Sequence, residues 1–142
     1  MKKPSRKNNR RGATAVEFAL VAQVLFLFVF GAYEFSRLHV LRNLAQDAAY
    51  FAARDAMVPG ATEVEATAYA NEILSYMDTE GASILINDGA GITVDSEWIT
   101  VQVTIPVAEN AIFLSGLAGD RNIVANASMR SERYDGYFNA NN

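Results

Sequence analysis

The stretch "RRGATAVEFALVAQVLFLFVFGAYEF", Arg10 to Phe35, decides how this chain folds. It runs from basic through small to strongly apolar, with Glu17 near the start of the apolar run. From Ala13 to Tyr33 there are 21 residues whose one charge is Glu17. A helix of that length rises roughly 30 Å, the hydrocarbon thickness of a bilayer. A buried core helix is one alternative. But "FALVAQVLFLFVFGAY" is apolar on every side except Gln23, and a small outer domain has too little chain to wrap it. A cleavable secretory signal is another. The run exceeds the roughly 7–15 residues of such a signal, and "FGAYEF" leads straight into further helix-like sequence. Residues 13–33 therefore read as a retained transmembrane helix.

Working outward to the N-terminal side, residues 1–12 hold Lys2, Lys3, Arg6, Lys7, Arg10 and Arg11 and no acid. That is half of the 12 lysines and arginines, in a chain of 142 residues with a net charge of −4. The remaining 130 residues carry 6 basic and 16 acidic side chains, a net −10. The basic patch is thus a local device, and the rest of the chain repels nucleic acid. By the positive-inside rule residues 1–12 are a cytoplasmic leader, and residues 34–142 form an extracytoplasmic domain. With no cysteine, disulfides and thiolate metal sites are excluded.

On the other side, no proline occurs between Ala13 and Val58. Past Glu34 the pattern turns amphipathic. Leu38, Leu41, Leu44, Ala45, Ala48, Phe51 and Ala52 share one arc, and Arg42, Asn43, Gln46, Asp47, Tyr50 and Arg54 share the opposite one. Pro59-Gly60 stops the helix at about 58. A second, shorter helix follows in "TEVEATAYANEILSYM", where Thr62 and Glu65 fit a capping box.

The period then changes. "SILIN" and "ITVD" are short strand candidates split by the turn-rich "NDGAG". In "WITVQVTIPV", Ile99, Val101, Val103, Ile105 and Val107 face one way and Thr100, Gln102 and Thr104 the other. That is a half-buried strand, with Pro106 marking its end or an edge. "NIVANASMRSE" alternates again, with Ile123, Ala125, Ala127 and Met129 on one face. "AIFLSGLAG" reads as one helical turn or a loop packed on the sheet, and "GYFNANN" as a frayed tail that Tyr137 and Phe138 could anchor. The helix arc needs an apolar partner and the strands need a cover. The predicted fold is therefore α+β: a long helix whose outer half packs on a three- or four-stranded, mainly antiparallel sheet.

No catalytic constellation is present in the sequence. His39 is the one histidine and reads as a surface residue past the membrane exit. Phosphate loops, nucleophile elbows and zinc-protease motifs are absent. "NDGAG" with Asp95 and Glu97 lacks the spacing of a calcium loop and reads as turn chemistry. Asn126-Ala127-Ser128 matches a glycosylation triplet by chance. Trp98, at a strand start, reads as core rather than as a recognition residue, and Tyr134 is the other candidate for recognition. Neither a cofactor nor a metal is implied, and the chain does not read as an enzyme.

The register of glycine, glutamate and apolar run in "GATAVEFAL" resembles the processing site of type IV pilin-like proteins. With Ala13 as first mature residue, Glu17 is the fifth and Phe18 the sixth. The fuller "RRGATAVEFALV", the helix bearing "AQDAAYFAARDA" and the late "ASMRSE" together resemble the TadE-like minor pilins, or pseudopilins, of tight-adherence (Tad) pilus systems. One departure is that Gln23 stands near where many such helices carry a proline. The resemblance implies cleavage between Gly12 and Ala13 by a prepilin peptidase and single-span anchoring in the bacterial inner membrane. It also implies assembly with other pilin or pseudopilin subunits for adhesion or secretion, with Glu17 and Phe18 setting the register. The freed α-amino group of Ala13 would then supply the cation that a carboxylate at this depth needs. An uncleaved, membrane-anchored envelope binding protein is the alternative reading, and an anchored enzyme or sensor is a further one.

Overall fold

The computed structural model describes residues 9–93 and 95–132. Lys2, Lys3, Arg6 and Lys7 of the leader, and Tyr134, Tyr137 and Phe138 of the tail, lie outside the described residues.

One helix, α1 (Asn9–Ala56, 48 residues), runs unbroken through the apolar span and the amphipathic arc, roughly 70 Å at the ordinary rise. The absence of proline, expected near Gln23 from the resemblance, leaves nothing to kink it. It ends just before Pro59, and Gly60 takes φ +93°, a left-handed turn that turns the chain back. Its first half is long and apolar enough to cross a membrane, and none of that apolar window is buried.

The outer half behaves differently. Ala45, Ala48, Ala49, Ala52, Ala53 and Ala56 are all fully buried. Their spacing of three and four residues makes one continuous stripe. Small side chains let two partners approach the helix closely. One is α2 (Glu63–Ser75), which lays Ala66, Ala70, Ile73 and Leu74 on the stripe. The other is a three-stranded antiparallel sheet of β1 (Ser83–Ile86), β2 (Trp98–Pro106) and β3 (Asn122–Arg130), in that spatial order. In β2 the alternation is strict: Ile99, Val101, Val103 and Ile105 are fully buried against the stripe. Each such burial is worth about 1.5–3 kcal/mol as an upper estimate. The register Trp98↔Arg130 through Pro106↔Asn122 turns the same face of β3 inward, where Ala125 is buried.

Three local outcomes differ from the sequence reading. "ITVD" forms no strand among its described residues, and of the three or four strands expected the described residues form three. Its backbone is instead tied by Thr93 and Ser96 to each other. Trp98 is half exposed and so is not core, because the first residue of β2 falls on the outward phase of the alternation. Val107 starts a short helical turn, α3 (Val107–Asn110), which ends the alternation one residue early. "NDGAG" is turn chemistry. Asn87 and Asp88 take φ +49° and +55°, and the Asn87 amide bridges Gly91 C=O and Thr100 N–H, both at 2.8 Å.

Candidate functional site

Two regions of α1 carry functional potential: the apolar span with Glu17, and the point where the helix leaves that span. Gly12, Ala13, Glu17 and Phe18 all lie on the exposed helix surface. Phe18 is 74% exposed, and a Cβ added at Gly12 would touch nothing within 4 Å. Among the described residues Glu17 has no hydrogen-bond or ion-pair partner within the chain. Beyond it, Leu20, Val21, Val24, Leu25 and Phe28 line an almost wholly apolar groove along the helix. The folded domain covers none of these side chains, since its sheet and α2 pack on the outer half alone.

At the exit the structure shows a site that the sequence reading passed over. Glu34 is 0% exposed. Its carboxylate accepts backbone N–H bonds from Ile112 (3.0 and 3.3 Å) and Phe113 (3.1 Å). One turn on, Arg37 Nε donates to the Asn110 carbonyl at 3.1 Å. Asn110 is itself buried, and its side chain is saturated. Its Oδ1 accepts from Glu80 N–H (3.0 Å), and its Nδ2 donates to the carbonyls of Glu80 and Pro106 (both 2.9 Å). The loop after α3 is thus stapled to α1 on one side and to the approach of β1 on the other. Phe113 then lies on the span itself, its ring 4.8 Å from that of Phe30 and edge-on to Tyr33 at 6.2 Å.

A signal for Glu34 was present in the sequence. Stepping back along the buried arc from Ala45 to Leu41 and Leu38 lands on Glu34 by the same three-and-four spacing. Asn110, Arg37 and Phe113 had no such signal, because their partners are 73 or more residues away or on another element. His39 stacks on Phe35 at the exposed exit surface. Among the described residues no group of histidine, aspartate or glutamate could hold a metal ion.

Fold and site together define a protein with, among the described residues, one helix long and apolar enough to cross a membrane and a small α+β domain packed on the outer half of that helix. Residues 12–54 match the model of the family described as TadE-like protein, a likeness confined to the segment that holds Gly12, Glu17, the apolar run and Glu34. No curated protein and no solved structure matches the chain.

Proposed function

We propose that the chain is a minor pilin or pseudopilin, a structural subunit that takes part in assembling a Tad-type pilus. The observation that carries this reading is the uncovered apolar half of α1 with an unpartnered Glu17 at its start. An apolar helix that leaves the bilayer must exchange lipid for other apolar helices, and this half presents apolar side chains on all sides. A carboxylate in that setting requires a cation, which the α-amino group freed by cleavage after Gly12 would supply, either from Ala13 about one helical turn before Glu17 in the same chain or from a neighbouring subunit. The TadE-like match across residues 12–54 supports the same assignment. The prepilin peptidase would act on the cytoplasmic side of the inner membrane, and residues 34–142 would lie outside the cytoplasm.

Glu17→Ala and Glu17→Gln in the native host test the reading. Both variants are expected to insert and to be processed to Ala13, as read by mass spectrometry, yet to assemble poorly. Glutamine fails nearly as badly as alanine because it offers no charge to an ammonium. Pili at wild-type level from both variants, or a mature chain still starting at Met1, would overturn it. Orientation is read separately. The chain has no cysteine, so Val124→Cys should react with a membrane-impermeant thiol reagent before the inner membrane is opened.

A further inference from the structure

We infer that the loop Ala111–Leu114 and the turn after it form a second membrane contact, seated in the outer-leaflet boundary between headgroups and acyl chains beside the helix exit. This rests on the single span and not on the subunit role.

Position is the first ground. The Phe113 ring stacks on Phe30, which lies inside the apolar segment, about one helical turn, roughly 5 Å, below Glu34. Whatever depth Phe30 occupies, Phe113 shares it. Chemistry is the second. From Asn110 to Gly119 the sequence has no charged residue, and Ile112, Phe113, Leu114 and Leu117 are all 41% exposed or more. These side chains continue the apolar surface of the span without a polar break. Tyr33 and Phe35 are exposed at the same level, as aromatic side chains are at a membrane–water boundary.

The backbone supplies the third ground. Non-helical chain in a poorly hydrated layer must have its N–H groups satisfied internally. Here Ala111 N–H donates to Val107 C=O at 2.8 Å. Leu117 and Ala118 donate to Leu114 C=O at 2.9 and 3.0 Å. Two further amides of the loop, at Ile112 and Phe113, are taken by Glu34. A buried carboxylate with two backbone donors and no cation is thereby explained. It supplies acceptors to two amides of a loop that the inference places in a poorly hydrated layer.

The full chain, reconstituted in phosphatidylcholine–phosphatidylglycerol vesicles, provides the test. Leu114→Cys and, as a control on the outer sheet face, Val124→Cys are each labelled with a nitroxide. Collision with oxygen, which concentrates in lipid, is compared with collision with a water-soluble nickel chelate. The Leu114 label is expected to favour oxygen several-fold more than the Val124 label does. Equal ratios at the two positions overturn the inference. So does a Leu114 label shielded from both reagents only at high protein-to-lipid ratio, since a second copy and not lipid would then cover the loop. Should the label disturb the loop, Phe113→Trp in a Trp98→Phe background reads the same depth. Quenching by acyl-brominated lipid and not by aqueous iodide is expected, and the reverse order overturns the inference.

Discussion

The carboxylate of Glu34 and the backbone N–H of Phe113, 79 residues apart in the chain, meet at 3.1 Å. This contact, with its neighbour at Ile112, ties the outer domain to the helix at the level where the helix leaves its apolar segment. It sets where the domain sits along α1. The domain thus covers the outer half and, apart from Phe113 on Phe30 and Tyr33, leaves the apolar inner half uncovered.

Glu34→Leu removes the acceptor of two part-buried N–H groups. Each orphaned group costs about 1–3 kcal/mol, the higher figures applying because the acceptor was a carboxylate. Amide exchange at Ile112 and Phe113 should accelerate strongly, and the unfolding midpoint of the full chain should fall. Glu34→Gln keeps one acceptor oxygen and should lose less. Unchanged exchange at both amides in the leucine variant would show that the carboxylate does not hold the loop.

Asn110→Ala strips three hydrogen bonds from a side chain 3% exposed and leaves the Glu80 backbone groups without their partner. A loss of about 2–4 kcal/mol is expected from the unsatisfied groups together. Denaturant unfolding of the full chain in mild detergent measures it. A change below about 0.5 kcal/mol, ordinary for an exposed site, would contradict the clamp.

Ala52→Leu inserts three carbons into the fully buried stripe between the helix and its partners. Overpacking of this kind costs about 1–3 kcal/mol. Arg42→Ala, on the exposed arc, should stay within about 0.5 kcal/mol. Thermal unfolding of the two variants side by side separates them, and equal midpoints would refute the close approach of helix and sheet.

The start of α2 supplies a pH prediction. Thr62 Oγ1 and Thr62 N–H both bond Glu65 Oε2, at 2.8 and 3.0 Å. The side-chain bond first, then the backbone bond, hold the Glu65 carboxyl below its ordinary value of 4.5. A lowered folded value means the carboxylate stabilises the fold fully above about 4.5 and that this contribution disappears as pH falls through the lowered folded value. Glu65→Gln should remove that acid-side dependence, and the carboxyl titration followed by NMR should lie below the unfolded reference. Thr62→Ala should cost about 1 kcal/mol as a lost N-cap. A Glu65 titration at or above the reference would rule out the reciprocal cap.

Much of this protein is decided locally, and those parts were legible in the chain. The span from Ala13 to Tyr33 follows from length and hydropathy alone. The burial of Leu41, Ala45, Ala48 and Ala52, the Thr62–Glu65 cap and the inward phase of Ile99, Val101, Val103 and Ile105 follow from periods of three-to-four and two residues, whereas Ala49, Ala53 and Ala56 joined the buried stripe only in the structure. The glycine–glutamate register at Gly12, Ala13 and Glu17 is likewise a matter of adjacent residues, and the role proposed for it awaits the Glu17 variants. Only the tertiary structure decided the rest. Trp98 begins a strand, and its exposure depends on which phase of β2 meets the helix. "ITVD" has strand composition, but its described residues pair with neither edge strand of the β1-β2-β3 sheet. Glu34 looked like the polar boundary between span and domain. It is buried because a loop 78 residues away brings it two N–H groups. Periodicity reports which face of an element is apolar. It carries no record of which distant backbone donors will arrive to make the burial of a charge tolerable, and that depends on the closed fold.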